Sequence, residues 1–302
     1  MKSIYDINKL SLAIYQHILL VLFFLSCIQI NAQTKRAFLV GVSDYPQISD
    51  NSWDNIHGTN DVDMISKTLK AQAFKVTTLT NNVATAVRIR KGLRAFANSC
   101  KSGDIVYLHF SCHGQPFEDN DGDEEDGWDE ALVPYDAMKV YQKGKYVGEN
   151  HITDDELNGY LKSIRKQVGK NGFVYVVIDA CHAGSSYRGD EEEDSIIIRG
   201  TDMGFSMSNK QYAPRIDKRG KIKIEKSSIM ANICILEACR SYQVNSEIRE
   251  GGKYFGSLSY FVNKVLQTTK LNKTTSWTER VALLMNQDIR LVRQNPVIET
   301  SL

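Results

Sequence analysis

The chain has almost no charge imbalance. Its 37 Lys and Arg stand against 36 Asp and Glu, a net charge of +1. Nothing global therefore argues for nucleic acid or an anionic membrane as partner. Cysteine is also scarce, at six residues in 302, with no CxxC pair and no His/Cys cluster of zinc spacing. This excludes a dense disulfide framework and a structural zinc site. No internal repeat of roughly 20–50 residues recurs, so a solenoid or propeller is excluded. The longest uninterrupted apolar stretch, at 18–28, is too short for a good membrane span.

What remains is an ordinary globular composition, 42% hydrophobic and 24% charged, long enough for one large domain or two small ones. The first residues stand apart. Lys2 and Lys9 precede the apolar stretch, and Ile30-Asn31-Ala32 precedes Gln33. That is the pattern of a secretory signal peptide over 1–32, cleaved after Ala32 to leave a mature domain at 33–302. Lipid attachment at Cys27 is the alternative, with Phe24 and Leu25 matching poorly. The expectation is an exported protein, periplasmic, cell-surface or secreted. Five cysteines stay in the mature chain, so at least one has no intrachain partner.

β-Branched apolar runs ("RAFLVGV", "FKVTTLT", "DIVYLHFS", "FVYVVID", "IMANICILEA") alternate with segments of helical period. The helix at 60–72 has Thr59 or Asn60 in capping position, and the one opening "TDDEL" has Thr153 followed by acids. A hairpin is expected near 138–149, and two amphipathic helices near 254–268 and 276–292. The alternation predicts an α/β fold, a mainly parallel central sheet with helices on both faces. Between 188 and 228 the periodicity fails and charge dominates. This reads as an exposed charged insertion within one domain.

The chemistry lies where strands end. In open α/β sheets the crevice forms beyond the carboxyl ends of the strands. His113 follows "VYLHFS" and Cys181 follows "VVID", so both emerge at that edge. A thiol needs a base to become a nucleophile at neutral pH. Gly114 and Gly184 leave backbone N–H groups free to approach an oxyanion. Either residue alone reads more simply as structural, a buried thiol or a satisfied histidine. Together they read as a Cys-His dyad. His182 is an alternative base, and His57, His109 and His151 lack this context.

The boxes "HFSCHGQPFEDNDGDEEDGWDEALVPYD" and "VIDACHAGSS" resemble those of the metacaspases, caspase-fold cysteine peptidases of the C14 type. The flanking "FLVGVSDYP", "HGTNDVDMI", "ICILEACRSYQVNSE", "GSLSYFV" and "QNPVIE" extend the resemblance over 36–299. Cys112 departs from it, standing where the family usually has glycine. The resemblance implies a caspase-like fold and a mostly monomeric enzyme; taken with the signal pattern, the expectation is an exported bacterial member. It implies Cys181 as nucleophile, His113 as general base, and the N–H groups of Gly114 and Cys181 as oxyanion hole. It places Asp61, Ser111 and Asp179 in the S1 pocket, and paired carboxylates there would select Arg or Lys. Protein or peptide substrates are the expected partners.

The resemblance also implies an activating Ca2+ held by Asp129, Asp154 and Asp155, hard oxygen donors suited to that ion. The family's fourth acid is replaced by Arg188, with Asp190 two residues on. The loop acids Asp119, Asp121, Asp123 and Glu130 fit an EF-hand count weakly, because Glu124 stands where that loop needs glycine. They are expected to be solvated. Basic residues in the insertion, Arg188, Arg199, Arg215, Lys218, Arg219, Lys221 and Lys223, make self-processing there a further expectation. The rivals are a clostripain- or gingipain-type Arg/Lys peptidase, and a catalytically idle caspase-like binding module.

Overall fold

The computed structural model describes residues 33–49, 51–181, 196–213, 224–291 and 293–302. The signal segment, His182, Gly184, Arg188, Asp190 and the basic run 214–223 lie outside the described residues. Residues 34–302 form one compact unit, built on a six-stranded sheet of order β11-β8-β7-β3-β1-β2. The strands are β1 (Lys35–Gly41), β2 (Phe74–Thr80), β3 (Ile105–Ser111), β7 (Phe173–Asp179), β8 (Asn232–Glu237) and β11 (Val297–Thr300). All pairings are parallel except that of β11.

Strand period explains the layering. In β1, Ala37 and Leu39 pack toward α1 (Gly58–Ala71), α4 (Ser257–Leu266) and α5 (Ser276–Gln287). Phe38 and Val40 face the opposite way, toward α2 (Ala86–Ser99) and α3 (Asp154–Val168). With both faces covered, β3 and β7 are buried at every residue, which is why they read as continuous apolar runs. Each large side chain so buried contributes about 1.5–3 kcal/mol.

Four local features differ from the sequence reading. Helix α1 begins at Gly58 with no side-chain cap from Thr59 or Asn60. Instead Ser43 Oγ accepts from Thr59 N–H at 2.9 Å, and Asn60 donates to the Tyr254 carbonyl. The expected hairpin near 138–149 is a single bridge between Gln142 and Tyr146. The extended pairing goes to a second sheet, β4 (His113–Glu118), β5 (Trp128–Val133) and β6 (Ile152–Thr153), whose first turn is the acidic loop. Residues 254–256 belong to a β9–β10 hairpin (Glu247–Glu250, Lys253–Gly256) and not to the helix that follows. Thr153 does cap α3, accepting from Glu156 N–H.

The fourth difference matters most. The insertion is not simply exposed: Arg199 and Phe205 are buried at 0% and 1% exposure. Its residues 196–205 thread the crevice, because the crevice holds the charges that a guanidinium needs.

Candidate active site

Register brings the polar groups to one edge. Ser111 ends β3 directly opposite Asp179, which ends β7, and Gly41 of β1 lies beside Ser111. The chain runs on to His113 from one strand and to Cys181 from the other. Helix α1 starts against the same edge. A Cβ at Gly58 would collide with the Ser111 carbonyl, so glycine is what lets α1 bring Asp61 to the strand ends.

These residues form a closed acidic slot, and Arg199 fills it. Its Nη2 lies 2.7 Å from Asp61 Oδ2 and 2.8 Å from Glu247 Oε1. Its Nε donates to Glu247 Oε1 at 3.1 Å and its Nη1 to Ser111 Oγ at 2.6 Å. Asp179 stands farther off, 3.8 Å from Nη1. It accepts from Ser259 N–H and Oγ at 2.7 and 2.6 Å and from Asn245 Nδ2 at 2.8 Å. Gly256 roofs the slot, where any side chain would strike Asp179 and the guanidinium. Burial pushes Asp61 up to about 7, against the pull of Arg199. Burial alone would lower Arg199, but Asp61, Glu247 and Asp179 outweigh it and hold the guanidinium protonated. A buried cation is tolerable only with such partners.

The backbone of Arg199 is placed as tightly as its side chain. Its carbonyl accepts from Cys181 N–H at 2.9 Å and from Gly114 N–H at 3.3 Å. Those are the two donors expected to form the oxyanion hole.

His113 stacks on Trp53, with ring centroids 4.9 Å apart, and lies beside Tyr45. Its Nε2 meets the Asp54 carbonyl at 2.8 Å. A carbonyl can only accept, so Nε2 carries the proton and Nδ1 keeps its lone pair. Nδ1 is buried and makes no hydrogen bond. Burial lowers this imidazole to about 3. The Cys181 thiol, 1% exposed, donates to the Gln243 carbonyl at 3.0 Å. The structure thus brings thiol and imidazole to one edge without joining them by a hydrogen bond. Cys239 Sγ lies 3.2 Å from Cys181 Sγ. Cys112, which stands where the family usually has glycine, is a core thiol at 2% exposure, pushed by burial to about 12. His109 is core, between Tyr107 and Ser259, and His151 is buried between Gln115 and Tyr146.

Sequence reasoning missed Glu247, Gln243, Cys239 and the Asp54 carbonyl. Glu247 lies 190 residues from His57, which nevertheless holds it: Nδ1 is 2.5 Å from Oε2, and the His57 N–H donates to Oε1 at 2.7 Å. No local pattern marks such a residue.

The acidic loop is not merely solvated. Carboxylate oxygens of Asp119, Asp123 and Asp129 lie within 4.8 Å of one another, and so do those of Asp121, Asp123 and Asp155. Asp129 is 8% exposed and its Oδ1 has no hydrogen-bond partner. Burial first, then Asp154, Asp119, Asp155 and Asp121, push its carboxyl up to about 7. Asp154 joins neither cluster. It accepts from Glu130 N–H at 3.2 Å, while Asp129 and Asp155 of the expected trio each fall in one of the two groups of loop acids. An orphaned buried carboxylate among hard oxygen donors fits a divalent cation such as Ca2+.

A six-stranded, mainly parallel sheet between helices, carrying thiol, imidazole and an acidic slot at its carboxyl edge, defines the caspase-like class of α/β proteins. A family model described as the caspase domain of C14 peptidases matches residues 34–302, and the chain belongs to that family. Metacaspase-2 of Arabidopsis thaliana is 32% identical over 158 residues, covering 50% of this chain and 35% of that protein. Metacaspase-1 of Mycosarcoma maydis is 22% identical over 302 residues, covering 87% and 71%. The chain spans about a third or less of the length of the first curated relatives it matches. In fold it is similar to a Geobacter sulfurreducens protein (TM-score 0.59, 20% identity, covering 88% of this chain and 93% of that one). Caspase-1 of Spodoptera frugiperda gives a TM-score of 0.51 at 16% identity, with 90% of each chain covered.

Proposed function

We propose that the protein is an endopeptidase that cleaves after Arg or Lys, using Cys181 as nucleophile and His113 as base. One observation carries this reading: a guanidinium lies among Asp61, Glu247 and Ser111 while the carbonyl of the same residue accepts from Gly114 and Cys181 N–H. A P1 side chain and its scissile carbonyl need that pair of positions. Asp, the P1 residue of an acid-selective enzyme, would meet carboxylates there and be rejected.

In the reaction His113 Nδ1 takes the Cys181 proton and the thiolate attacks the P1 carbonyl carbon. The Gly114 and Cys181 N–H groups hold the oxyanion. The imidazolium then protonates the leaving amine, and water hydrolyses the thioester. The Asp54 carbonyl fixes the tautomer and steadies the imidazolium. Ca2+ held by Asp129 with Asp119 and Asp123, and by Asp155 with its neighbours, would supply a counter-charge that orders the acidic loop. Bacterial origin, export through residues 1–32 and a monomeric state complete the proposal. The chain itself is among its expected substrates.

The test uses fluorogenic peptides ending in Arg, Lys or Asp, with calcium and with chelator, beside Cys181→Ala. Hydrolysis after Arg and Lys that is lost in Cys181→Ala supports the reading. Hydrolysis after Asp, or activity that survives Cys181→Ala, refutes it.

A further inference from the structure

The acid that meets a guanidinium at two nitrogens is itself held in place. Glu247 Oε1 accepts from Nε and Nη2 of the seated arginine, while its Oε2 is taken up by His57 Nδ1 at 2.5 Å. A carboxylate only accepts, so Nδ1 carries the ring proton. The His57 backbone N–H adds a bond to Oε1 at 2.7 Å. Glu247 is wholly buried, whereas the His57 side chain is 36% exposed and stands at the rim.

His57 is oddly placed for any other role. It is the N-cap of α1, a position that favours Ser, Thr, Asp or Asn, yet its side chain caps nothing. The ring is turned to Glu247 instead and lies on Tyr254, centroids 5.0 Å apart and planes at 23°. Tyr254 also meets the Arg249 guanidinium, 5.7 Å from its centroid, and its carbonyl accepts from Asn60 Nδ2 at 3.0 Å. Glu247 begins β9 and Tyr254 lies in β10, so the start of α1 grips both strands of one hairpin. The hairpin delivers Glu247 to the slot and α1 delivers Asp61. His57 sets one against the other.

We infer that His57 is a positioning residue for P1 selection: by fixing the carboxylate of Glu247 it makes the slot prefer arginine to lysine. This rests on the peptidase reading above. A guanidinium is a planar fork, and both of its bonds to Oε1 fail together if the carboxylate turns. An ammonium is a point charge that tolerates the same turn. A buried carboxylate that loses a donor turns to find another. The bond to Oε2 therefore matters for arginine and little for lysine.

The test compares His57→Phe with its parent in Arg199→Gln protein, whose slot is open. Phenylalanine keeps a ring on Tyr254 and removes the Nδ1 donor. KM for an Arg peptide should rise about tenfold, the weight of one hydrogen bond to a charged acceptor. The kcat should stay within about twofold, and KM for the matched Lys peptide should rise less than about threefold. With Glu247→Gln already present, His57→Phe should change the Arg KM by less than about twofold, because a residue that acts through another loses its effect with it. No rise, equal rises for Arg and Lys, a fall in kcat in place of the rise in KM, or an effect that adds in full to that of Glu247→Gln overturns the inference and leaves the peptidase reading standing. Should Arg199→Gln fail to fold, NMR of the chain with Arg199 in place carries the test. There His57→Phe should speed exchange of the Arg199 Nε–H with water about tenfold, and an unchanged rate overturns the inference. That readout needs no turnover, so parent and variants all failing on Arg and Lys peptides would sink the peptidase reading itself.

Discussion

Glu247→Gln separates arginine from lysine recognition. Glu247 Oε1 accepts from both Nε and Nη2 of the seated arginine, at 3.1 and 2.8 Å, and the side chain is wholly buried. Glutamine keeps the shape and one oxygen but removes the charge. A hydrogen bond to a charged acceptor is worth about 1.5–3 kcal/mol and to a neutral one about 0.5–1.5. Two bonds weakened in this way cost about 2–3 kcal/mol, a loss of roughly 30- to 160-fold in kcat/KM for an Arg peptide. Lysine has no Nε–H and cannot make the fork with Glu247, while its ammonium still reaches Asp61. Its peptides should lose less than about tenfold. The assay is kcat/KM for matched Arg and Lys peptides in the Arg199→Gln background, where the slot is open. Equal losses for both peptides, or an unchanged Arg rate, would refute the assignment of Glu247 as the discriminating acid.

Other outcomes follow from the same geometry. With Sγ atoms 3.2 Å apart, one hydrogen peroxide should convert the Cys181 and Cys239 thiols to a disulfide and two waters. The enzyme then loses activity that dithiothreitol restores, while Cys239→Ser is inactivated irreversibly. Calcium at about 100 times its Kd should stabilise the chain by about 2.7 kcal/mol, a rise of roughly 5–10 °C in Tm for a domain this size. Asp129→Asn should abolish the shift and Asp154→Asn should only reduce it; the reverse ranking would favour the trio that the family resemblance implies. Burial lowers His109 to about 4, and His113 and His151 to about 3. A lowered imidazole pKa means that protons bind only well below the usual 6.5. In Cys181→Ala, NMR of the three rings should therefore show neutral imidazole down to about pH 5, and titration near 6.5 would mean that these rings are hydrated.

The sequence determined the parts whose causes are local. β3 and β7 are legible because strands buried on both faces must be apolar at every position, and Thr153 because a helix start needs an acceptor for its N–H groups. His113 and Cys181 were legible because polar residues that abruptly end such runs fall at the carboxyl edge. Asp61, Ser111 and Asp179 came from family boxes. What tertiary structure alone decided are the long-range pairings. Glu247, the first residue of β9, reaches the slot only through tertiary folding, and His57, just before α1, holds it from 190 residues away. The thiol's neighbour is Cys239 and not Cys112, since register sends the side chain of Cys112 into the core. Arg199 is one of many basic residues in a charged stretch, and nothing in that stretch singles it out. It is buried because three carboxylates from distant elements converge where the chain can lay one guanidinium among them, and convergence of that kind has no period or motif to read.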